Sequence, residues 1–142
     1  MSSEGHDMDK LDISHFKNAI ARLQEGLVDY ASYPLILTVR DGLIQRFEFT
    51  YEISHKTLKR YMEFTSATPE QYDGMAFQDL IRSGNEQGLL LGEWVDWKSY
   101  RDMRSKTSHT YDEETALEVV AKIPTFLREA QHLYEQLQRK LA

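Results

Sequence analysis

A chain of 142 residues, 41% hydrophobic and 28% charged, has the size and composition of one folded domain and is too apolar to be disordered. Its net charge of −6 excludes broad, non-specific coating of nucleic acid, so any phosphate recognition must be confined to a local basic patch. The lack of cysteine excludes disulfides and thiol chemistry, and we expect no metal site because histidine alone remains among the softer ligands.

The chain shows neither a targeting signal nor a membrane span. Residues 1–10 lack the basic start and apolar run of a signal peptide, and we expect them to be a flexible leader before a single domain at 11–142. The longest purely apolar runs, at 35–37 and 89–91, fall far short of the roughly 20 residues that a span requires. We therefore expect a cytoplasmic protein with no membrane partner.

Apolar residues at helical spacing predict the first two helices. The first covers residues 11–31, and Pro34 interrupts the apolar connection at 32–39 that follows it. The second helix runs from about 42 to 65, with Asp41 as its N-cap. Residues 46–52 of this helix are aromatic or charged at nearly every position, which fits either a solvated face or a second face against a partner.

Three further helical segments follow. A short helix is predicted at 75–85, and three glycines between 84 and 92 bracket a loop. Another helix begins at Glu93, and the last begins near Asp112, with Pro124 expected to kink or interrupt it near Lys122. No long segment alternates with period two. The sequence therefore predicts an all-α fold of four or five helices, an antiparallel up-and-down four-helix bundle with or without an extra short helix.

The segment from 98 to 113 concentrates the residues that could do chemistry. Between 98 and 109 it carries four basic residues against a single acid, a local charge of +3 in an acidic chain. Arg104 and His109 would lie about 140° apart on a continuous helix. Thr107 and Ser108 are weak helix formers, so we expect the helix to stop there.

The next helix is expected to start at a capping box formed by Thr110 and Glu113. His109 and Tyr111 would then lie in a tight interhelical turn, with His109 folded back beside Arg104.

This group of side chains could cleave RNA without a metal. An imidazole can take the proton from a ribose 2′-hydroxyl, and a guanidinium can neutralise charge that builds on the attacked phosphate. The reaction moves two protons and the turn has one histidine, so catalysis would require a two-fold dimer.

The alternative is structural. A histidine near a helix end is commonly a cap, and arginines are commonly paired by acids, for which Asp102, Asp112, Glu113 and Glu114 are the candidates.

The run Arg-Ser-Lys-Thr-Ser-His-Thr-Tyr at 104–111 resembles the R-x4-6-H signature of HEPN domains, in particular the HepT branch of nucleotidyltransferase substrate-binding proteins. The likeness extends to residues 44–51, 97–104, 108–113 and 124–127. The position after the motif arginine is often Asn or Asp in that family, and Ser105 stands there in this chain.

That resemblance implies a homodimeric helical bundle that acts as the toxin of a toxin–antitoxin pair, a metal-independent RNase. Arg104 would stabilise the phosphate and His109 would be the acid/base. Beside the resemblance, the spacing of Arg101 favours the same helix face as Arg104, and Ser105 can still hydrogen-bond, so these two are the supporting phosphate-binding candidates. The antitoxin would be a minimal nucleotidyltransferase that transfers AMP to Tyr111, and no cofactor is implied. The alternative is a non-catalytic subunit that binds nucleotide or substrate for the transferase.

Overall fold

The structure, a computed structural model, describes residues 11–142 as helices joined by short connections. The five α-helices are α1 (Ser14–Ser32), α2 (Leu37–Thr65), α3 (Phe77–Glu86), α4 (Trp94–Lys106) and α5 (Glu113–Leu141). Short 3₁₀ turns lie at Pro69–Tyr72 and Thr107–His109. No strand occurs in residues 11–142, so the all-α prediction is confirmed. The leader predicted at 1–10 lies outside the described residues.

The three long helices form the body of the fold. Helices α1, α2 and α5 pack against one another, and α4 contacts α2, α3 and α5. Within this part of the chain, no helix is both long enough and apolar enough to cross a membrane. The four-helix bundle class and the homodimer stay predictions.

Helix α2 begins earlier than the sequence predicted. Its N-cap is Ile36, without a side-chain cap bond, and Asp41 lies inside the helix on an exposed face. The prediction of Asp41 as N-cap is therefore wrong. The amides of Val39 and Arg40 both donate to the Ile36 carbonyl, so the helix starts as soon as the chain has passed Pro34.

Helix α5 also begins differently. Its N-cap is Asp112, whose carboxylate accepts from the amide and the hydroxyl of Thr115 at 3.0 and 2.8 Å. The predicted capping box of Thr110 and Glu113 is wrong, because aspartate supplies the cap and the Glu113 side chain pairs with Arg40.

Helix α5 is continuous through Pro124, so of the two outcomes expected near Lys122 the interruption is wrong and the kink stays a prediction. Pro124 is exposed, while Ile123, Phe126 and Leu127 beside it are buried. Proline removes only one backbone donor. The buried apolar face on both sides of it holds the helix together.

Aromatic rings fix α4 against α2 and α5. The buried Phe126 ring of α5 lies 5.2 Å from the Phe47 ring, 5.3 Å from the Tyr100 ring and 6.2 Å from the Trp97 ring, between centroids, in edge-to-face geometry. Tyr51 of α2 packs against the same ring at 6.1 Å. Edge-to-face pairs add to the hydrophobic stabilisation of buried rings. The position of α4 relative to α2 is therefore set by this cluster.

A buried carboxylate ties the loop before α4 to α5. Glu129 is 1% exposed, and its oxygens accept from the amides of Leu91 at 2.8 Å and Gly92 at 2.6 Å. Burial raises the pKa of Glu129, against the opposing effect of these two hydrogen bonds. A Cβ on Gly92 would come within 2.8 Å of a Glu129 oxygen, so only glycine fits this approach without a shift.

Candidate functional site

The chain leaves α4 through a turn built by threonine hydroxyls. Thr107 is buried, and its hydroxyl donates to the Arg104 carbonyl at 2.6 Å and accepts from Arg104 Nη1 at 3.1 Å. The Thr110 hydroxyl donates to the Thr107 carbonyl at 3.3 Å. These bonds compete with helix continuation. The α-helix therefore ends at Lys106, as the weak helix formers Thr107 and Ser108 predicted.

The turn presents His109 and Tyr111 to solvent. His109 is exposed at the end of the 3₁₀ turn, and Tyr111 is 87% exposed. Their rings meet edge to face with centroids 6.1 Å apart. An imidazole and a phenol hydroxyl are thus side by side and open to a macromolecular partner.

The Arg104 side chain binds carboxylates of α2. Its Nη1 lies 3.2 Å from a Glu48 oxygen, and its Nε and Nη2 donate to one oxygen of Glu52 at 3.2 and 2.5 Å. Within residues 11–142, the side-chain hydrogen bonds and ion pairs of Arg104 go to Glu48, Glu52 and Thr107 alone. Arg104 is linked to His109 through the turn and not by a direct hydrogen bond.

The expected acidic partners of the arginines were Asp102, Asp112, Glu113 and Glu114. Arg104 is ion-paired, as the structural alternative holds, but its partners are Glu48 and Glu52 on α2 and none of these four acids. The physical reason is the packing of α4 on α2, which brings residues about fifty positions apart together. Spacing along the chain carries no signal for such a contact.

Arg101 lies one turn before Arg104. Its guanidinium carbon sits 5.0 Å from the centre of the Trp94 ring, a cation–π contact on the surface of α4. Burial raises the pKa of Tyr51 to about 12, and the positive charges of Arg101 and Arg104 act against that rise. Both positive charges are therefore close enough to Tyr51 of α2 to favour its ionised form. Ser105 is exposed on the same helix.

A second ion pair joins α2 to the first residue of α5, where the turn ends. Arg40, near the start of α2, donates from Nη1 to both oxygens of Glu113 at 2.8 Å. The Arg40 side chain is 9% exposed, and its Nε has no partner among residues 11–142. Because Glu113 follows Tyr111 by two residues, this pair fixes where the turn rejoins the fold.

Sequence reasoning missed Arg40, Glu48 and Glu52. A signal did exist for Arg40, which precedes Leu43, Ile44 and Phe47 at helical spacing and so lies on a buried stripe. An arginine on such a stripe requires a carboxylate partner. No group of three His, Cys, Asp or Glu side chains suited to a metal ion occurs within residues 11–142.

Comparison with known proteins places this arrangement in a family. Residues 11–139 match the family model described as nucleotidyltransferase substrate binding protein like. The chain belongs to this family. A relative from Haemophilus influenzae named probable ribonuclease HepT is 36% identical over 140 residues, which cover 93% of this chain and 95% of the relative. The resemblance of residues 104–111 to the HepT branch is thereby confirmed at the level of the family.

Solved structures of this fold agree. A Haemophilus influenzae protein described as revealing the fold of a substrate-binding domain of a nucleotidyltransferase superposes with a TM-score of 0.83 at 36% identity, over 89% of this chain and 99% of its own. A Thermus thermophilus protein superposes with a TM-score of 0.63 at 27% identity, over 86% and 98% of the two chains. Two solved structures at 36% and 27% identity thus share the helical arrangement of this chain.

Proposed function

We propose that this protein is a HEPN-type toxin, a metal-independent RNase of the cytoplasm that a nucleotidyltransferase antitoxin silences by transferring AMP to Tyr111. The observation that carries the proposal is the turn at 107–112, which exposes Tyr111 beside His109 directly after the helix that bears Arg104. The 36% identity to a protein named probable ribonuclease HepT and the name of the family support it.

The cleavage step assigns roles to His109 and Arg104. The exposed His109 imidazole takes the proton of the ribose 2′-hydroxyl, the 2′-oxygen attacks phosphorus, and the bond to the 5′-oxygen breaks. The products are a cyclic 2′,3′-phosphate and a 5′-hydroxyl, whose proton comes from a second imidazole. A homodimer that brings two turns together supplies that second His109.

Arg104 must exchange partners for this reaction to occur. In the single chain its guanidinium is held by Glu48 and Glu52, so a scissile phosphate has to replace one of these carboxylates. Arg–phosphate pairs are bidentate like Arg–carboxylate pairs, so the guanidinium fork suits either partner. Arg101 and Ser105 support phosphate binding from the same helix.

Tyr111 suits nucleotide transfer because it needs no rearrangement to reach a partner enzyme. Its oxygen attacks the α-phosphorus of ATP, the bond to the β-phosphate breaks, pyrophosphate leaves and the phenol proton passes to solvent or to a base of the transferase. The product carries a phosphodiester and a nucleoside at the mouth of the turn. Negative charge and bulk at that point oppose the binding of RNA phosphate.

The second candidate is a non-catalytic subunit that binds nucleotide or substrate for the transferase. The pairing of Arg104 with two carboxylates favours it, because an arginine so engaged is less available to an attacked phosphate. This candidate predicts stable association with the nucleotidyltransferase and no RNA cleavage under any condition.

RNA cleavage by the purified, unmodified protein in the presence of chelator decides between the two. We expect cutting by the wild type and by His132→Ala, whose histidine is half-buried on α5, and no cutting by His109→Ala. Cleavage that survives His109→Ala would show the proposed mechanism to be wrong. No cleavage by any form, with the transferase still bound, would establish the second candidate.

Intact-mass measurement after incubation with the transferase and ATP tests the modified residue. We expect the mass of AMP on the wild type and on Tyr33→Phe, a control tyrosine that is 57% exposed in the α1–α2 connection. Tyr111→Phe should carry no adduct. An adduct of equal yield on Tyr111→Phe removes the role proposed for this residue.

A further inference from the structure

A groove between α1 and α2 lies outside the turn and has no role in the proposed chemistry. Its volume is about 500 Å³, within the range of small-ligand sites. We refer to it as the α1–α2 groove, and the residues of its lining that matter here are His15, Asn18, Arg22, Gln45, Arg46 and Phe49.

The α1–α2 groove is cationic in an acidic protein. Two arginines and a histidine line it, and none of the described residues that line it carries a carboxylate. Neither Arg22 nor Arg46 forms a salt bridge within residues 11–142, whereas Arg40 and Arg104 are both paired. The positive charge of the groove is therefore available to an anion.

Arg46 is held in place before any ligand arrives. Its Nη1 donates to the Arg22 carbonyl at 2.9 Å, and its Cδ would lie 3.2 Å from a Cβ on Gly26. The absence of a side chain at Gly26 thus lets Arg46 lie across α1. A preordered guanidinium loses less conformational entropy on binding than a free one.

Phe49 adds an exposed ring to these charges. It is 59% exposed on α2, and the amides of Asn18 and Gln45 line the same groove. Single-stranded nucleic acid is bound by this combination: an aromatic ring stacks on a base, guanidinium groups contact phosphates and amides bond to base edges. An ordinary solvent-exposed surface carries both positive and negative side chains, whereas no carboxylate lines this groove among the described residues.

The α1–α2 groove adjoins the residues that hold Arg104. On a helix, residues three apart are neighbours on the surface. Glu48 follows Gln45 by three positions and Glu52 follows Phe49 by three, and these two glutamates bind Arg104. A nucleic-acid strand bound in the α1–α2 groove would therefore pass beside the ion pairs that Arg104 forms with these two glutamates.

We infer that the α1–α2 groove binds a single-stranded segment of RNA next to the cleavage site, with a base on Phe49 and phosphates on Arg22 and Arg46. The inference rests on the proposed function, which supplies RNA as the ligand. The competing occupant is a second copy of this chain. The cationic lining argues against that occupant, because two copies of the same positive surface repel each other.

Fluorescence anisotropy with a labelled single-stranded oligoribonucleotide, in the His109→Ala background with chelator, tests the inference. Phe49→Ala should weaken binding by roughly 5- to 150-fold at every salt concentration, the loss of one stacked base. Arg22→Gln should reduce the slope of log affinity against log salt by about 0.7, the loss of one phosphate contact. The matched controls Phe64→Ala and Arg60→Gln, both on exposed positions of the same helix as Phe49, should change neither quantity.

The outcomes separate this inference from the proposed function. If Phe49→Ala and Arg22→Gln bind RNA as the two controls do, the groove does not hold RNA, whether or not the wild type cuts it. If these variants change the monomer–dimer equilibrium in sedimentation runs without RNA, the groove is a dimer face and the inference fails. Binding that depends on the groove, in a protein that never cuts RNA, leaves the inference standing and removes the RNase function.

Discussion

Replacing both carboxylates that hold Arg104 should strengthen RNA binding while it weakens the fold. The change is Glu48→Gln with Glu52→Gln, which keeps the size of each side chain and removes its charge. In the wild type, the guanidinium cannot bind a phosphate until it releases at least one carboxylate. RNA binding must therefore break at least one of these ion pairs, and the free energy that the pair contributes to folding weakens the affinity for RNA.

The exposure of the three side chains sets the size of this effect. Arg104 is 29% exposed, and the two glutamates are 33% and 49% exposed. Partly exposed pairs contribute about 0.2–1 kcal/mol each. Two such pairs contribute roughly 0.4–2 kcal/mol, so the double variant should bind RNA about 2- to 30-fold more tightly and unfold more easily by the same free energy.

Two measurements on the same protein check this prediction. Anisotropy with labelled RNA gives the affinity, and urea denaturation gives the free energy of unfolding. The control is Asp79→Asn, which likewise removes a carboxylate from an arginine, Arg82, but on α3. Affinity that stays unchanged, or rises equally in the control, would refute the idea that Glu48 and Glu52 compete with phosphate for Arg104.

Three further predictions concern stability. Arg40→Gln breaks the pair with Glu113 and should cost about 1–3 kcal/mol in urea denaturation, with faster hydrogen exchange at residues 110–112. Burial raises the pKa of Glu129 above its ordinary 4.5, so the folded state favours the protonated side chain. The free energy of unfolding of the wild type should therefore fall as pH rises from 4.5 through the folded-state pKa. In the same pH series, Glu129→Gln should show no such loss. Phe126→Ala should cost about 3–5 kcal/mol in urea, against less than about 1 for the exposed Phe64→Ala.

The helices could be predicted wherever one face is buried and the pattern is regular. Phe16, Ile20 and Leu23 repeat along α1 and are buried, so the first helix was recovered to within a few residues at its start. The starts of helices are harder to predict, because side-chain caps and tertiary contacts compete to set the residue at which a helix begins. Asp41 has the chemistry of a cap, but α2 begins four residues before it.

The candidate site, too, could be predicted only in part. Local spacing was enough to predict a helix end between Arg104 and His109, while the roles of these two residues and of Tyr111 stay predictions. The partners of Arg104 could not be found, because Glu48 and Glu52 reach it only through packing of α4 on α2. The sequence left open whether the basic patch is free or paired by nearby acids, and the fold pairs Arg104 with acids from a distant part of the chain.

The carboxylate of Glu129 has a mechanical consequence for the turn. It anchors the loop just before α4 to α5, while the Lys106 ammonium at the other end of α4 bonds to Glu118 of α5 at 2.9 Å. The buried contacts of Glu129 and the exposed Lys106–Glu118 pair both oppose sliding of α4 along α5, the buried contacts more strongly. If AMP is added at Tyr111 as proposed, we expect α4 to keep its position along α5.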